Sequence, residues 1–306
     1  MCRQFYRAAN LKRSSVWIII LLSLSFPSLV CSQPLNHSKL SLLSPIQRAE
    51  ILLKRSLNEE ALLLYQSLVL KDGANGYAFR GLVRAYKRMG RLDDAESWVE
   101  KYLIEKSFTS AALYASGYIF YLKEDVKKAE ELFKKALELD DANALALNNL
   151  GAVRLSEKSY TQAVKLVRKA IQINPKEPMF FMNLETIYKQ MGDPSLIIID
   201  YNFYLKEKKD LDLIRGYGLA VGRNKRQASF RLYNKGYLEK TILKWVEIEK
   251  IYKEIDHQSG LVSVYFSLGI LYEEKGEFQN AKNYFDLVLK LNPLHIQAKE
   301  RLYNIR

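Results

Sequence analysis

Cysteine is nearly missing from this chain: Cys2 and Cys31 are the only two among 306 residues. Both sit near the start, so the remainder has no disulfide framework, thiolate nucleophile or cysteine metal site. Glycine (14) and proline (7) are also scarce, which argues against many turns between short strands. Histidine is rarer still. His37, His257 and His295 stand apart, and no two have the spacing of metal ligands on one helix face. No glycine-rich phosphate loop follows a strand pattern, and "GYGLAVG" from Gly216 to Gly222 lacks the strand–turn–helix setting such a loop needs. Carboxylates are plentiful but scattered, as on solvated helix faces. The expectation is a protein without catalytic residues, cofactor or metal. Long apolar runs are absent too: the longest begins at Val16 and is broken by Ser23, Ser25 and Pro27. That is short for a membrane-spanning helix, which takes about 20 apolar residues.

What is present begins with a leader. Arg3, Arg7, Lys12 and Arg13 form a basic segment without acids, followed by the apolar run and by Val30 and Ser32 in small-residue slots before Gln33. This layout predicts a secretory signal peptide over 1–32, with 33–41 as a linker. Cys31 opens an alternative, a lipidated N-terminus, which Val30 fits poorly because it is bulky where a small residue is usual. Membrane attachment is expected only if the chain is lipidated or the signal retained. An exported chain whose remainder lacks cysteine suggests a bacterial envelope, periplasmic or secreted. The formal charge is +13, and losing the leader removes four basic residues and no acid, so the rest stays basic. At 48% hydrophobic residues the 306-residue chain has enough apolar mass for a core.

Two distant stretches share a skeleton. "LNNLGAVRLSEKSYTQAVKLVRKAIQINP" ends at Pro175, and "YFSLGILYEEKGEFQNAKNYFDLVLKLNP" ends at Pro293. They are equally long, and Gly151 and Gly269, Ala163 and Ala281, and Pro175 and Pro293 fall in the same places. In frames of about 34 residues beginning at Ala144 and Val262, stepping back from Ala144 reaches Ser110, Gly76 and Leu42. Those frames place Ala129, Ala95 and Ala61 in the Ala163 position, and Gly117 and Ala136 match Gly151 and Ala170. Apolar residues such as Leu147, Leu150 and Val153 recur at helical spacing, then stop near the middle of each frame. Gly90, Gly192, Gly236 and Gly276 mark that stop. Each frame therefore reads as two antiparallel helices. Gly151 against Ala163 and Gly269 against Ala281 allow close approach, and proline ends the second helix.

On these residues the chain resembles the tetratricopeptide repeat family, whose unit is a helix–turn–helix of about 34 residues. The resemblance covers roughly 42–295. It implies an all-α, right-handed superhelical solenoid of antiparallel helix pairs, about six to seven repeats with one or two degenerate. Repeats one to five would occupy 42–211, the fifth losing its alanines to Ile197 and Tyr204. An irregular basic junction holding a degenerate repeat would span 212–261, loosened at its start by Gly216, Gly218 and Gly222. A last repeat and capping helix would span 262–306.

The resemblance also implies that the first helices line a groove and assigns their groove positions. These are Tyr77, Arg80, Arg84, Lys87 and Arg88 in the second repeat, and Tyr114, Tyr118 and Tyr121 in the third. Asn148 and Asn149 follow in the fourth and Asn183 in the fifth. A basic arc beside tyrosines and amides suits an extended peptide, although a charged face is also what solvated surface looks like, and tyrosines at helical spacing also pack cores. The carboxylate clamp of the family's chaperone adaptors would read Arg80, Arg84, Ala115, Leu145 and Asn149 here, and is absent because two positions are apolar. A second basic segment, Arg215 to Lys244, offers an anionic surface contact with lipid or polymer, export arguing against nucleic acid. The expected function is thus a non-catalytic scaffold binding a protein or peptide in its groove. The alternatives are a lipid-anchored structural subunit of an envelope assembly and an anionic-polymer binder.

Overall fold

A computed structural model describes residues 42–305 except 107 and 209; the leader, Cys31 and the 33–41 linker lie outside the described residues. Among the described residues there are fifteen helices and no strand. They run in pairs from α1 (Pro45–Lys54) and α2 (Asn58–Lys71) to α3 (Gly76–Arg88) and α4 (Leu92–Glu105). The third and fourth pairs are α5 (Ser110–Leu122) with α6 (Val126–Leu139), and α7 (Ala144–Ser156) with α8 (Tyr160–Ile173). Then come α9 (Pro178–Gln190), α10 (Leu196–Glu207), α11 (Leu211–Asn234) and α12 (Leu238–Glu254). The last three are α13 (Gln258–Lys275), α14 (Phe278–Leu291) and α15 (Ile296–Asn304). They form two compact units, one ending at Tyr217 and the other beginning at Gly218.

The punctuation of these helices repeats with the frame. The residue closing each of four frames caps the next first helix: Asn75, Thr109, Asn143 and Glu177 accept from the backbone N–H of Ala78, Ala112, Ala146 and Met179. The break within each pair takes a left-handed residue. Gly90, Gly192, Gly236 and Gly276 have φ of +72°, +87°, +79° and +84°. Where the frame lacks glycine, Ser56, Glu124 and Lys158 adopt φ of +63°, +67° and +61° at the same place. Asn174 and Asn292 close α8 and α14 one residue before Pro175 and Pro293, so the prolines do stand just past helix ends.

Between paired helices the close approach differs in detail from the expectation. Ala129, Ala136, Ala163, Ala170 and Ala281 are fully buried. Yet the nearest neighbour of Gly151 is Val167, where an added Cβ would come within 2.7 Å, ahead of the Ala163 carbonyl at 3.3 Å. Gly269 faces the Phe285 ring at 2.5 Å and Gly117 the Phe133 ring at 2.8 Å. The glycine makes room for a large side chain one turn beyond the alanine, and the alanine keeps the backbones near.

Within residues 212–261 the departure from the repeat pattern takes the form of longer helices. α11 is one helix of 24 residues and α12 one of 17, against 13 for α3, α5, α7 and α9. The extra spacing that shifted the repeat frame lies inside longer helices. Two of its glycines are packed rather than loose: Gly216 lies against the Phe181 ring and Gly222 against the Tyr252 ring, where any Cβ would overlap them. In the fifth repeat, Ile197 takes the alanine position and is fully buried. Beside it Asp200 accepts from Tyr188 and Arg168, both at 2.6 Å.

Candidate functional site

The first helices α3, α5, α7 and α9 carry the predicted groove residues, and hydrogen bonds that skip a repeat define their inward face. Tyr77 and Arg80 point from α3 to the turn before α9, where the Asn174 amide donates to the Tyr77 hydroxyl. The Arg80 guanidinium donates to Glu177 at 2.9 Å. Leu145 of α7 closes on Gly76, where an added Cβ would come within 3.2 Å. Between the N-terminal ends of α3, α5 and α7 lies a pocket of about 540 Å³, with Tyr77 and Asn174 in its wall.

The basic arc is largely paired within the protein. Arg84 donates to Glu50 at 2.7 Å and Arg88 to the Leu53 carbonyl, while Lys87 is exposed. Burial pushes the Arg80 guanidinium down, but the adjoining Glu177 carboxylate together with Tyr114 and Tyr118 holds the group above its ordinary pKa. The Tyr77 hydroxyl is pushed up by burial and by the same carboxylate. Glu50, Asn174 and Glu177 are the residues that sequence reasoning missed. Glu177 carried one signal, its cap position at the end of a frame, but nothing local ties it to Arg80, 97 residues earlier.

The tyrosines divide between core and surface. Tyr114 is 1% exposed, stacking on Tyr118 at 6.1 Å and on Phe133 at 6.1 Å. It has no surface to offer a ligand, because its ring fills the space between α5 and α6. Tyr118 and Tyr121 are half-buried, and burial raises the Tyr118 pKa against the opposing charges of Arg80 and Arg84. The amides form a relay: Asn183 donates to Asn148 at 2.9 Å, and Asn148 to Asn149 at 3.1 Å. Asn148 is fully buried and Asn149 nearly so, so Asn183, half-buried beside exposed Met182, is the accessible end. The structure thus brings Tyr77, Arg80, Arg84, Tyr118 and Tyr121 together on one face, with Asn183 ending the relay.

The second basic segment is also knit inward. Lys225 and Lys244 both pair with Glu247. Arg226 donates to the Tyr252 hydroxyl at 3.0 Å and lies 5.9 Å from the Trp245 ring centroid. Arg231, Lys235 and Lys240 remain exposed. Among the described residues no group of three or more His, Cys, Asp or Glu is placed to hold a metal ion. No described helix is long and apolar enough to cross a membrane.

Comparison with known proteins agrees with the repeat geometry. Models of the tetratricopeptide repeat match residues 80–144, 114–178 and 262–295, so these stretches carry such repeats. The human protein O-mannosyl-transferase TMTC3 is 26% identical over 268 residues, covering 78% of this chain and 28% of that protein. The tetratricopeptide repeat-containing protein trd-1 of Caenorhabditis elegans is 32% identical over 139 residues, covering 44% and 16%. The chain thus spans under a third of the length of either relative. Among solved structures, the C-terminal part of a TPR repeat-containing protein from Cytophaga hutchinsonii aligns at a TM-score of 0.40 and 16% identity. That alignment covers 84% of this chain and 99% of the other.

Proposed function

We propose that this repeat scaffold is non-catalytic and exported, and that it binds a protein or peptide segment on the inward face of its first helices. The observation that carries the reading is that first helices of repeats of a protein-interaction type present half-buried side chains, Tyr118 and Tyr121 on α5 and Asn183 on α9. Half-buried tyrosines are already ordered, so covering them removes apolar area at little entropic cost. The Asn183 amide offers donor and acceptor together, which suits a peptide backbone. Because Arg80 and Arg84 are already neutralised, the accessible part of the face favours apolar and backbone contacts over acidic side chains.

The test is capture from envelope extracts by the natively exported protein, followed by mass spectrometry. A specific partner is retained by wild type and lost by Tyr118→Ala. A partner kept equally by both proteins does not use this face, and the reading then fails. Export itself rests on the basic and apolar leader. Gln33 at the N-terminus of the natural protein supports it, acylated Cys31 establishes the lipid-anchored alternative, and retained Met1 contradicts cleavage.

A further inference from the structure

Repeat stacking ordinarily connects only neighbours. Three contacts in the first unit break that pattern in one place. Gly76, Tyr77 and Arg80 of the second repeat reach Leu145, Asn174 and Glu177 of the fourth, passing over the third. Arg80 and Glu177 are 16% and 15% exposed, so their ion pair is far less screened than a surface pair. Glu177 is held at both oxygens: one accepts from the Met179 N–H at 3.1 Å, the other from Arg80. The turn behind it is ordered, Asn174 accepting from the backbone of Lys176 at 3.2 Å and Lys176 pairing with Asp212 at 3.2 Å. A carboxylate thus already occupies the most buried cation of the predicted basic arc.

We propose that the turn carrying Asn174 and Glu177 is a built-in occupant of this face. An acidic partner segment gains Arg80 only by displacing Glu177. This rests on the binding reading above and adds its regulation. The displacement is an exchange of one carboxylate for another on the same guanidinium. The internal group has the advantage of tethering, equivalent to a competitor at roughly millimolar concentration. Strongly acidic segments therefore bind weakly until the turn lifts, while contacts at Tyr118 and Asn183 stay open.

Glu177→Gln separates the roles of the side chain. The amide oxygen still caps α9 through Met179, but the amide NH2 turned toward Arg80 cannot accept from it. A fluorescein-labelled hexaglutamate peptide serves as probe at low salt. The expected result is affinity on the order of tenfold higher for Glu177→Gln than for wild type, and loss of that gain in Arg80→Met/Glu177→Gln. Hydrogen exchange of the free protein gives a second readout. Glu177→Gln should speed exchange in the first turn of α3, nearly a hundred residues away, as well as in α9. Equal probe affinity in wild type and Glu177→Gln overturns the proposal, as does a gain that survives removal of Arg80. Exchange changes confined to α8 and α9 overturn it too. A partner lost on Tyr118→Ala while the probe ignores Glu177→Gln leaves the binding reading standing without its regulation.

Discussion

At the scale of single residues, the turn within each helix pair separates what the backbone demands from what the side chain supplies. Gly90 and Lys158 occupy the same place in the second and fourth frames, at φ of +72° and +61°. A side chain at that angle costs about 1–2 kcal/mol through the crowding of its Cβ. Lys158 is exposed, and its backbone N–H is bonded to the Leu155 carbonyl at 2.9 Å, a bond that glycine would keep. Lys158→Gly should therefore stabilise the protein by about 0.5–1 kcal/mol, the strain relieved being partly offset by glycine's greater freedom when unfolded. A higher midpoint in urea with an unchanged m-value is the expected reading. The opposite exchange, Gly90→Ala, meets no atom within 4 Å, so any loss there measures backbone strain less the entropy that alanine removes from the unfolded chain.

At the scale of elements, the interfaces between repeats are where charge and packing contribute. Glu130 of α6 accepts from Arg154 of α7 at 2.5 Å and from Lys134 of its own helix at 2.7 Å. Those two hydrogen bonds hold its carboxyl down at about 2, below the ordinary 4.5. A depressed carboxyl contributes stability above its unfolded pKa and loses it as pH falls through the folded one. Glu130→Gln should cost about 1–2 kcal/mol at pH 7 after allowance for partial exposure. That cost should shrink between about pH 4.5 and 2, where wild type also becomes protonated. A pH series of thermal midpoints for both proteins checks it, a constant gap disproving the assignment. In α11, Gly216→Ala sets two effects against each other. Alanine gains about 1 kcal/mol of helix propensity. Its Cβ, however, would sit 2.1 Å from a ring atom of Phe181, which is 1% exposed. A ring so enclosed cannot retreat, so net destabilisation of about 1–3 kcal/mol is expected from chemical denaturation.

For the molecule as a whole, most contacts fall within one or the other of two compact units, so perturbation in one should be felt mainly there. Ala163 is fully buried in the first unit, its carbonyl 3.3 Å from where a Cβ on Gly151 would stand. Ala163→Leu should overpack the pair and cost about 1–3 kcal/mol. Hydrogen exchange should then accelerate in α5 to α9 while α13 and α14 keep wild-type protection. Uniform acceleration along the chain would contradict the division into units. Function at this scale depends on which face is left uncovered. Arg84→Glu would place a carboxylate beside Glu50, so its first effect is repulsion between α1 and α3, with a lowered thermal midpoint.

The sequence by itself determined the helix pairs, their period and their punctuation. Those depend on backbone angles and on periodicity within a few residues: a cap at Asn75, Asn143 or Glu177, a left-handed residue at Gly90, a proline past Asn174. It determined the small residues as well, since a buried alanine such as Ala163 must recur wherever two helices meet. Only the tertiary structure decided which polar groups are free. Tyr114 and Tyr118 stand one helical turn apart with the same chemistry, yet one fills the core and the other is half exposed. Arg80 and Arg84 read as open cations until Glu177 and Glu50 arrive from other repeats. Nor did the glycines at 216 and 222 announce that large rings, rather than a loose joint, required them. Long-range pairing depends on how repeats stack in space, and a charge partner 97 residues away leaves no mark on the local pattern.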